Sequence, residues 1–501
     1  MAIVLKPNCV QILCLMIFWG QIQNYIMRYE IDVAIAALVQ SSSQNDEPNQ
    51  SNDVHLLETS KQNISYNIEE EKDGKEDQFD LSPILQSHRL GAFNYGYVVT
   101  QIIGGRLAEM YGTKKIYGGG LLLTCIVSFL LPSAAKLNVY LFIALNVLQG
   151  VFSGVTLPAL HAMTARWIPP LQQGSFMSRS YLGMVIGILI TDPFCNAIIK
   201  TFGWESCFYV VGSITLVWFI FWCLLVYDNP NSHPRISENE KKMINTAVSE
   251  TVDTTRTFPV PWRSIFTSVP FYGLLFSEIG LAWGLSTLIR HTPLYMESVQ
   301  DVKLETDGLM SKLPFGFMWL GAVFLSCIAE FILRKKYISK TNVRRLFNVL
   351  AMIGPAIALC MVAFAPDTLQ GDTNFVIAVL CGGLFLNGAF VCSLMNSYID
   401  LAPNYAGTLL GVGNTVAFII HSVVPVINEQ VLANGSLSQT RQWQIIFMVP
   451  SALYILSNIT YLITVTSDVQ TWNSKKRNYM ISMNSLGCHT PKLNNRNQSI
   501  K

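Results

Sequence analysis

Gly104-Gly-Arg-Leu-Ala-Glu109-Met-Tyr-Gly112-Thr-Lys-Lys115 interrupts an apolar reach of chain with glycines, one carboxylate and two adjacent ammonium groups. Gly105 and Gly112 suit tight helix ends, while Glu109 with Lys114 and Lys115 offers an ionic contact that can break and re-form. A counterpart comes later: Ser326-Cys-Ile-Ala-Glu330, then Arg334-Lys-Lys336 and Arg344-Arg345. A second pair, Trp167-Ile-Pro169-Pro-Leu-Gln-Gln-Gly174 and Leu401-Ala-Pro403-Asn-Tyr-Ala-Gly407, follows in the same order. The acid recurs after 221 positions (Glu109 to Glu330), the proline after 234 and the glycine after 233. Similar offsets in one order predict two related halves joined by the linker 228–266.

The chain around these segments is apolar. Of 501 residues, 51% are hydrophobic and only 13% charged, about half the ~25% charged share of soluble proteins. Residues 1–9, 41–88, 228–266 and 468–501 hold 32 of the 66 charged residues, which leaves 34 for the other 371 positions. A surface so poor in charge must face lipid rather than water. At ~20 residues per span, the apolar runs divide into twelve transmembrane helices. Six lie near 10–39, 90–110, 116–135, 139–165, 175–199 and 206–227. Six more lie near 268–296, 306–333, 343–365, 375–399, 406–432 and 443–466. The expected fold is an all-α membrane protein of two pseudo-symmetric six-helix bundles, 1–227 and 267–467, with linker 228–266 and tail 468–501. Soluble enzymes, nucleic-acid binders and secreted modules are excluded, and a net charge of +2 points to no polyanionic partner.

Sidedness follows from Lys and Arg. Loops on the side of both termini carry 23 of them and the opposite loops nine, with Arg28 and Arg290 inside spans; this predicts that both termini are cytoplasmic. The first apolar run continues through Arg28, Glu30 and Asp32, so it reads as a span and not as a removable signal. Loop 41–88, with eleven Asp and Glu, is then extracellular or lumenal and expected to be disordered. It carries glycosylation acceptors at Asn49 and Asn63, with a third candidate at Asn434 on the same side. Cys195 and Cys207 can meet at the outer ends of neighbouring spans.

The stretch Gly104–Lys115 resembles the signature loop of the major facilitator superfamily. More narrowly, Gly96-Tyr-Val-Val-Thr-Gln-Ile-Ile-Gly-Gly, Gly154-Val-Thr-Leu-Pro-Ala-Leu-His-Ala-Met, Pro293-Leu-Tyr-Met and Asp400-Leu-Ala-Pro-Asn-Tyr-Ala-Gly-Thr-Leu resemble the anion:cation symporter family. That group holds sialin, the vesicular glutamate transporters and the type I sodium–phosphate cotransporters. The likeness implies a major facilitator fold and a central site exposed alternately to the two sides. It also implies that Gly105, Glu109, Gly112, Lys114, Lys115 and, in the second half, Glu330 gate the conformational change.

Arg28 is the sharpest site candidate. It lies about fourteen residues, ~21 Å at 1.5 Å per residue, past the inner end of its span. A lone arginine at that depth costs at least ~2.5 kcal/mol, so it must face a wet cavity or a partner. Its fixed donor fork suits carboxylate or phosphate, and it matches the membrane arginine of the family pattern, which implies anion binding. Asp32, at i+4, is the alternative partner. Glu30 points to another face and is either a proton-coupling carboxyl in a partly dry cavity or an exposed group at the helix end. In span four the family commonly has an arginine and, seven residues on, a glutamate implicated in proton coupling. Asn146 and Ser153 stand there instead, with Gln149 between them on one face. That uncharged stripe can hydrogen-bond a ligand or only a neighbouring helix.

Glu278, as a replacement for the missing carboxylate, and His291, which can titrate near neutrality, are further candidates for ion coupling; the alternative for 290–291 is a place at the outer mouth. Tyr97, Tyr181 and Asn414 are candidate cavity-lining residues, and His161 and His421 read as satisfied interhelical histidines. No P-loop, H-E-x-x-H or G-x-S-x-G occurs, so neither an enzyme nor ATP-driven transport is expected, and no cofactor or metal. The expected function is secondary active transport of a small organic or inorganic anion, of the phosphate or carboxylate class, coupled to sodium or a proton. The rivals are a membrane solute sensor that does not transport and an uncoupled anion facilitator. The expected setting is a monomer in the plasma membrane or a lysosomal or vesicular membrane.

Overall fold

The computed structural model describes residues 8–45, 83–248, 252, 259–300, 304–368, 373–433 and 435–473. Asn49, Asn63, Asn434 and most of the loop and tail lie outside them. Twelve long helices fill the described chain: α1 Cys9–Asn45, α2 Pro83–Tyr111, α3 Thr113–Leu137, α4 Val139–Trp167, α5 Gln173–Phe202 and α6 Trp204–Leu225. The second set is α7 Val269–Gln300, α8 Leu304–Lys335, α9 Lys340–Thr368, α10 Asn374–Leu401, α11 Ala406–Leu432 and α12 Gln439–Thr464. Eleven of them contain a stretch long and apolar enough to cross a bilayer. The other, α2, carries Asn94, Gln101, Arg106 and Glu109 and packs between α4 and α11. Helix also covers 41–45 and 83–88, where disorder is expected from composition.

The same packing occurs twice. In the first six helices, α1 lies on α5 and α6, and both α2 and α3 on α4; in the second six, α7 lies on α11 and α12, and both α8 and α9 on α10. The halves meet along α2–α11 and α5–α8, which are equivalent pairs under the repeat. The α2–α3, α4–α5, α8–α9 and α10–α11 turns share one end of the molecule with the linker, called here the linker end. Hydrogen bonds tie this layer together: Trp167 Nε1 to the Asp228 carbonyl at 3.2 Å, and Lys114 N–H to the Asp228 carboxylate at 2.7 Å. The second bond caps α3, which starts after Gly112 at φ 103°, a conformation side chains with a Cβ rarely adopt. The linker helix Glu238–Val248 buries Ile244 and Val248. Its Glu240 carboxylate accepts the Val10 N–H at 3.2 Å, satisfying an otherwise orphaned donor at the start of α1.

Glycines set the closest approaches. A Cβ on Gly96 would run into the Val147 carbonyl, and one on Gly150 into the Phe93 carbonyl, so α2 and α4 touch backbone to backbone. Near this contact α4 breaks at Gly154 and Val155, and α10 breaks from Gly388 through a π-turn, Val391–Met395. Gly154 and Gly388 are 234 residues apart, the offset already read from the prolines. Cys195 and Cys207 do face each other, as free buried thiols. Gly150→Ala should lower the melting temperature in detergent, overpacking of this kind costing about 1–3 kcal/mol. Gly119→Ala, with open space around it, should not; equal effects would refute the close α2–α4 contact.

Candidate functional site

Arg28 emerges from α1 partly exposed, at the junction of the two halves. One guanidinium arm donates to Asn94 Oδ1 of α2 at 2.9 Å. Five rings surround its Cζ: Tyr25 at 5.8 Å, Tyr29 at 5.6 Å, Phe93 at 4.9 Å, Tyr97 at 5.2 Å and Phe418 at 5.6 Å. The first two come from α1, the next two from α2, and Phe418 from α11 of the opposite half. Asp32 is exposed and forms no ion pair with Arg28 among the described residues. The cage replaces it. At about 0.5–1 kcal/mol per cation–π contact, five rings match an insertion cost of at least ~2.5 kcal/mol. The cation is thereby held in the membrane without a carboxylate to neutralise it.

Other candidates sit around this centre in different roles. Tyr97 is buried between Phe93 and Phe418, its ring 4.7 Å from Phe418 across the interface. Asn414 donates to Gln101 Oε1 at 3.0 Å, a second bond between the halves. Tyr181 of α5 faces Trp319 of α8 at 6.3 Å, and its hydroxyl meets His161 Nδ1 at 3.5 Å. The α4 stripe is buried against α1: Ser153 donates to Asn24 at 2.8 Å and Gln149 to the Met27 carbonyl at 3.3 Å, with Asn146 beside them. The stripe therefore serves as an interhelical contact one helix removed from the cage. His421, read above as a satisfied interhelical residue, is partly exposed; its ring lies 6.1 Å from that of Phe418.

The carboxyl candidates separate clearly. Glu30 is fully buried within the first half, hydrogen-bonded by Ser128 of α3 and close to Cys207 of α6. This corrects one of the two sequence readings of Glu30, the exposed group at the helix end. Glu278 of α7 is buried, accepts from the Tyr398 hydroxyl of α10 at 3.3 Å, and stands within electrostatic reach of Tyr181 across the interface. His291 bonds Asn428 at 3.3 Å near the other end of α7 and α11, away from the cage.

The gating candidates join the two halves at the linker end. Glu109 is buried and accepts from the Thr408 N–H at 2.8 Å and the Thr408 hydroxyl at 2.7 Å, which caps α11 from the opposite half. Arg106 at 3.3 Å supplies the positive charge. Glu330 is paired with Arg334 and accepts from Ser175 at the start of α5. Glu109 to Glu330 and Ser175 to Thr408 are separated by 221 and 233 positions, so the two contacts are images of each other under the repeat. Gly105 lets α2 reach the Gly407 backbone between them. The expected partners of Glu109 are corrected: Lys114 bonds the Cys223 carbonyl at 2.8 Å and lies over the Tyr227 ring, and Lys115 is exposed.

Sequence reading missed Tyr25, Tyr29 and Phe93, although their i−3, i+1 and i−4 spacing to Arg28 or Tyr97 was available. Phe418, Ser175 and Thr408 carry no local signal, because their roles exist only once the halves meet.

Two repeated six-helix bundles that meet around a cation held within their membrane-spanning helices are the architecture of a membrane transporter. The Major Facilitator Superfamily pattern matches residues 17–425. The chain is 33% identical over 463 residues to a Drosophila ananassae protein named "Putative inorganic phosphate cotransporter", covering 92% of this chain and 93% of that one. It is 32% identical to human sialin over 460 residues (92% and 90%) and 31% identical to human vesicular glutamate transporter 2 over 398 residues (79% and 67%). Among solved structures, the major facilitator proton:xylose symporter XylE superposes with a TM-score of 0.63 at 12% identity, covering 92% and 97% of the two chains. The chain belongs to the Major Facilitator Superfamily.

A latch made of two charge-assisted bonds should be costly to lose, at about 1.5–3 kcal/mol each. In a background with native cysteines replaced, a cysteine at the buried position Gln101 should react faster with maleimide once Glu109→Ala is introduced. Unchanged labelling would refute the latch.

Proposed function

We propose that the chain is a secondary active transporter of a small anion, working by alternating access around Arg28. The observation that carries this is a guanidinium inside a membrane-spanning helix, caged by rings instead of being ion-paired with Asp32. Such a charge has no neighbouring carboxylate to displace before it takes an anionic partner. The relatives named for phosphate, sialin and vesicular glutamate transport support the anionic class. Alternating access requires the Glu109–Thr408 and Ser175–Glu330 contacts to open, and their repeat symmetry supports a hinge shared by the two halves.

Coupling is assigned to Glu278. Glu30 is sealed inside one half, and the α4 stripe of Asn146, Gln149 and Ser153 bears no charge, so neither offers an exchangeable site facing the cargo. Glu278 lies between α7 and α10, on the helix set that must move. The cation it serves is a proton or sodium. His291 belongs to the far end of the pathway. The Lys and Arg distribution supports cytoplasmic termini, hence a latch on the cytoplasmic side and Asn49 and Asn63 on the other. The working unit is a monomer in a plasma, lysosomal or vesicular membrane.

The uncharged α4 stripe favours one second reading, a solute sensor that binds without flux. Reconstituted vesicles distinguish the two. Arg28→Ala should abolish anion counterflow, and Arg28→Lys should retain only a small part of it. Glu278→Gln should keep exchange but lose accumulation under an imposed gradient, and comparing proton-only with sodium-only gradients identifies the cation. Saturable binding with no counterflow in the wild type would establish the sensor instead.

A further inference from the structure

At the end of the first bundle opposite the linker, α5 turns into α6 through Gly203 at φ 84°. Two thiols face each other beside this turn, Cys195 of α5 and Cys207 of α6, both fully buried and joined by a hydrogen bond. Eleven residues separate them along the chain. The cytoplasmic termini argued above place this turn on the extracellular or lumenal side. Resting on that sidedness, we propose that Cys195 and Cys207 are oxidised to a disulfide that staples α5 to α6. Packing alone does not demand sulfur at this layer. The repeat puts Asn428 and Gln442 at the corresponding places of α11 and α12, 233 and 235 positions on, and Asn428 bonds His291 at 3.3 Å. Cys125 of α3 is buried close by, but its thiol donates to the Gly212 carbonyl at 3.2 Å, which leaves Cys195 and Cys207 as the pair.

The outer compartment supplies the oxidant. Disulfides form and persist at cell surfaces and in the lumen where such chains fold, and the co-reactant is itself a disulfide, of a small thiol or of a carrier protein. One cysteine thiolate attacks it, forming a mixed disulfide and releasing one thiol. The second cysteine attacks the mixed disulfide, the Cys195–Cys207 bond forms, and the second thiol leaves. Two electrons and two protons pass from the pair to the co-reactant. Both sulfurs are buried once the helices have packed. Exchange therefore belongs to the stage at which the turn is still open, and the finished bond is shielded from reductant. Its mechanical effect follows from its neighbours. Cys207 lies beside Glu30 of α1, which Ser128 of α3 hydrogen-bonds, and Lys136 of α3 pairs with Glu205 of α6 at 2.6 Å. The staple completes a block of α1, α3, α5 and α6 at the end away from the Glu109–Thr408 contact, and makes that end of the first bundle rigid.

The test uses the full chain in microsomes from cells with a secretory pathway. The protein is denatured in light N-ethylmaleimide, then reduced and treated with the deuterated reagent. Peptide mass mapping should find heavy label on Cys195 and Cys207 and light label on Cys125, and an unreduced digest should contain the joined peptide. Cys195→Ser and Cys207→Ser should each lower the melting temperature by about 5 °C, the scale of closing a short loop. The double variant should lose no more than either single one, because all three remove the same bond. Sidedness is read separately from Ser237→Cys, at an exposed position of the linker, which an impermeant maleimide should label in sealed microsomes. Labelling only after permeabilisation would overturn the sidedness on which the staple rests. Light label on both Cys195 and Cys207 in correctly oriented protein, or losses that add in the double variant, would overturn the staple itself.

Discussion

The structure is organised by the cost of keeping one positive charge in a membrane without cancelling it. Pairing Arg28 with Asp32 would be the cheapest local solution, and it would also leave nothing for cargo. Five rings and one amide oxygen provide the alternative. Cation–π attraction stabilises the charge while leaving donor edges of the guanidinium open, which an ion pair would not. This solution has a structural consequence. The rings must come from three helices, and one of those helices belongs to the other half of the molecule, so holding the charge and holding the halves together become the same task.

Repetition explains how a chain of this size meets that task economically. The halves reuse one packing plan, and their interface consists of two equivalent helix pairs, α2–α11 and α5–α8. At the linker end each pair closes with a carboxylate from one half and a hydroxyl from the other, Glu109 with Thr408 and Glu330 with Ser175. The copies are not identical. Both acids pair with an arginine of their own helix, Arg106 and Arg334, but Glu109 also takes the Thr408 N–H at 2.8 Å and so benefits from the positive end of α11. Backbone irregularity is repeated as well, at Gly154 and Gly388, where surrounding helices shield the freed backbone groups from lipid.

Much of this was legible in the amino-acid sequence because it is set by local chemistry. Apolar length fixes spans, and punctuation by Gly, Pro and charge fixes their ends. Arg28 declared itself by its insertion cost alone. Glu30 did not, since its helix face indicates only that it points away from Arg28, and whether that face meets water or α3 depends on packing. The uncharged α4 stripe was legible as a stripe, but its partners Asn24 and the Met27 carbonyl lie more than a hundred residues away. Lys114 illustrates the opposite error. Adjacency to Glu109 in sequence suggested a pair, but a helix end at Gly112 turns the lysine toward Cys223 and Tyr227 instead. Phe418 is invisible to any local reading, as a lone aromatic on an apolar helix is ordinarily core.

One seam connects cargo and latch. On α2, Tyr97, Gln101, Gly105 and Glu109 recur every four residues along a single face. On α11, Phe418, Asn414, Gly407 and Thr408 meet them in that order, through ring contact, amide pair, bare backbone approach and capped helix end. From Tyr97 to Glu109 this is about 18 Å of straight helix, stiff enough to carry a displacement and sealed by polar contacts that do not stretch gradually. A ligand shifts such an equilibrium only by as much as it prefers one state over the other. Phe418, the ring of the cage that comes from the opposite half, ties the surroundings of Arg28 to the seam. Preference between states then arises where the cargo sits, and the latch at the far end of the same two helices experiences it.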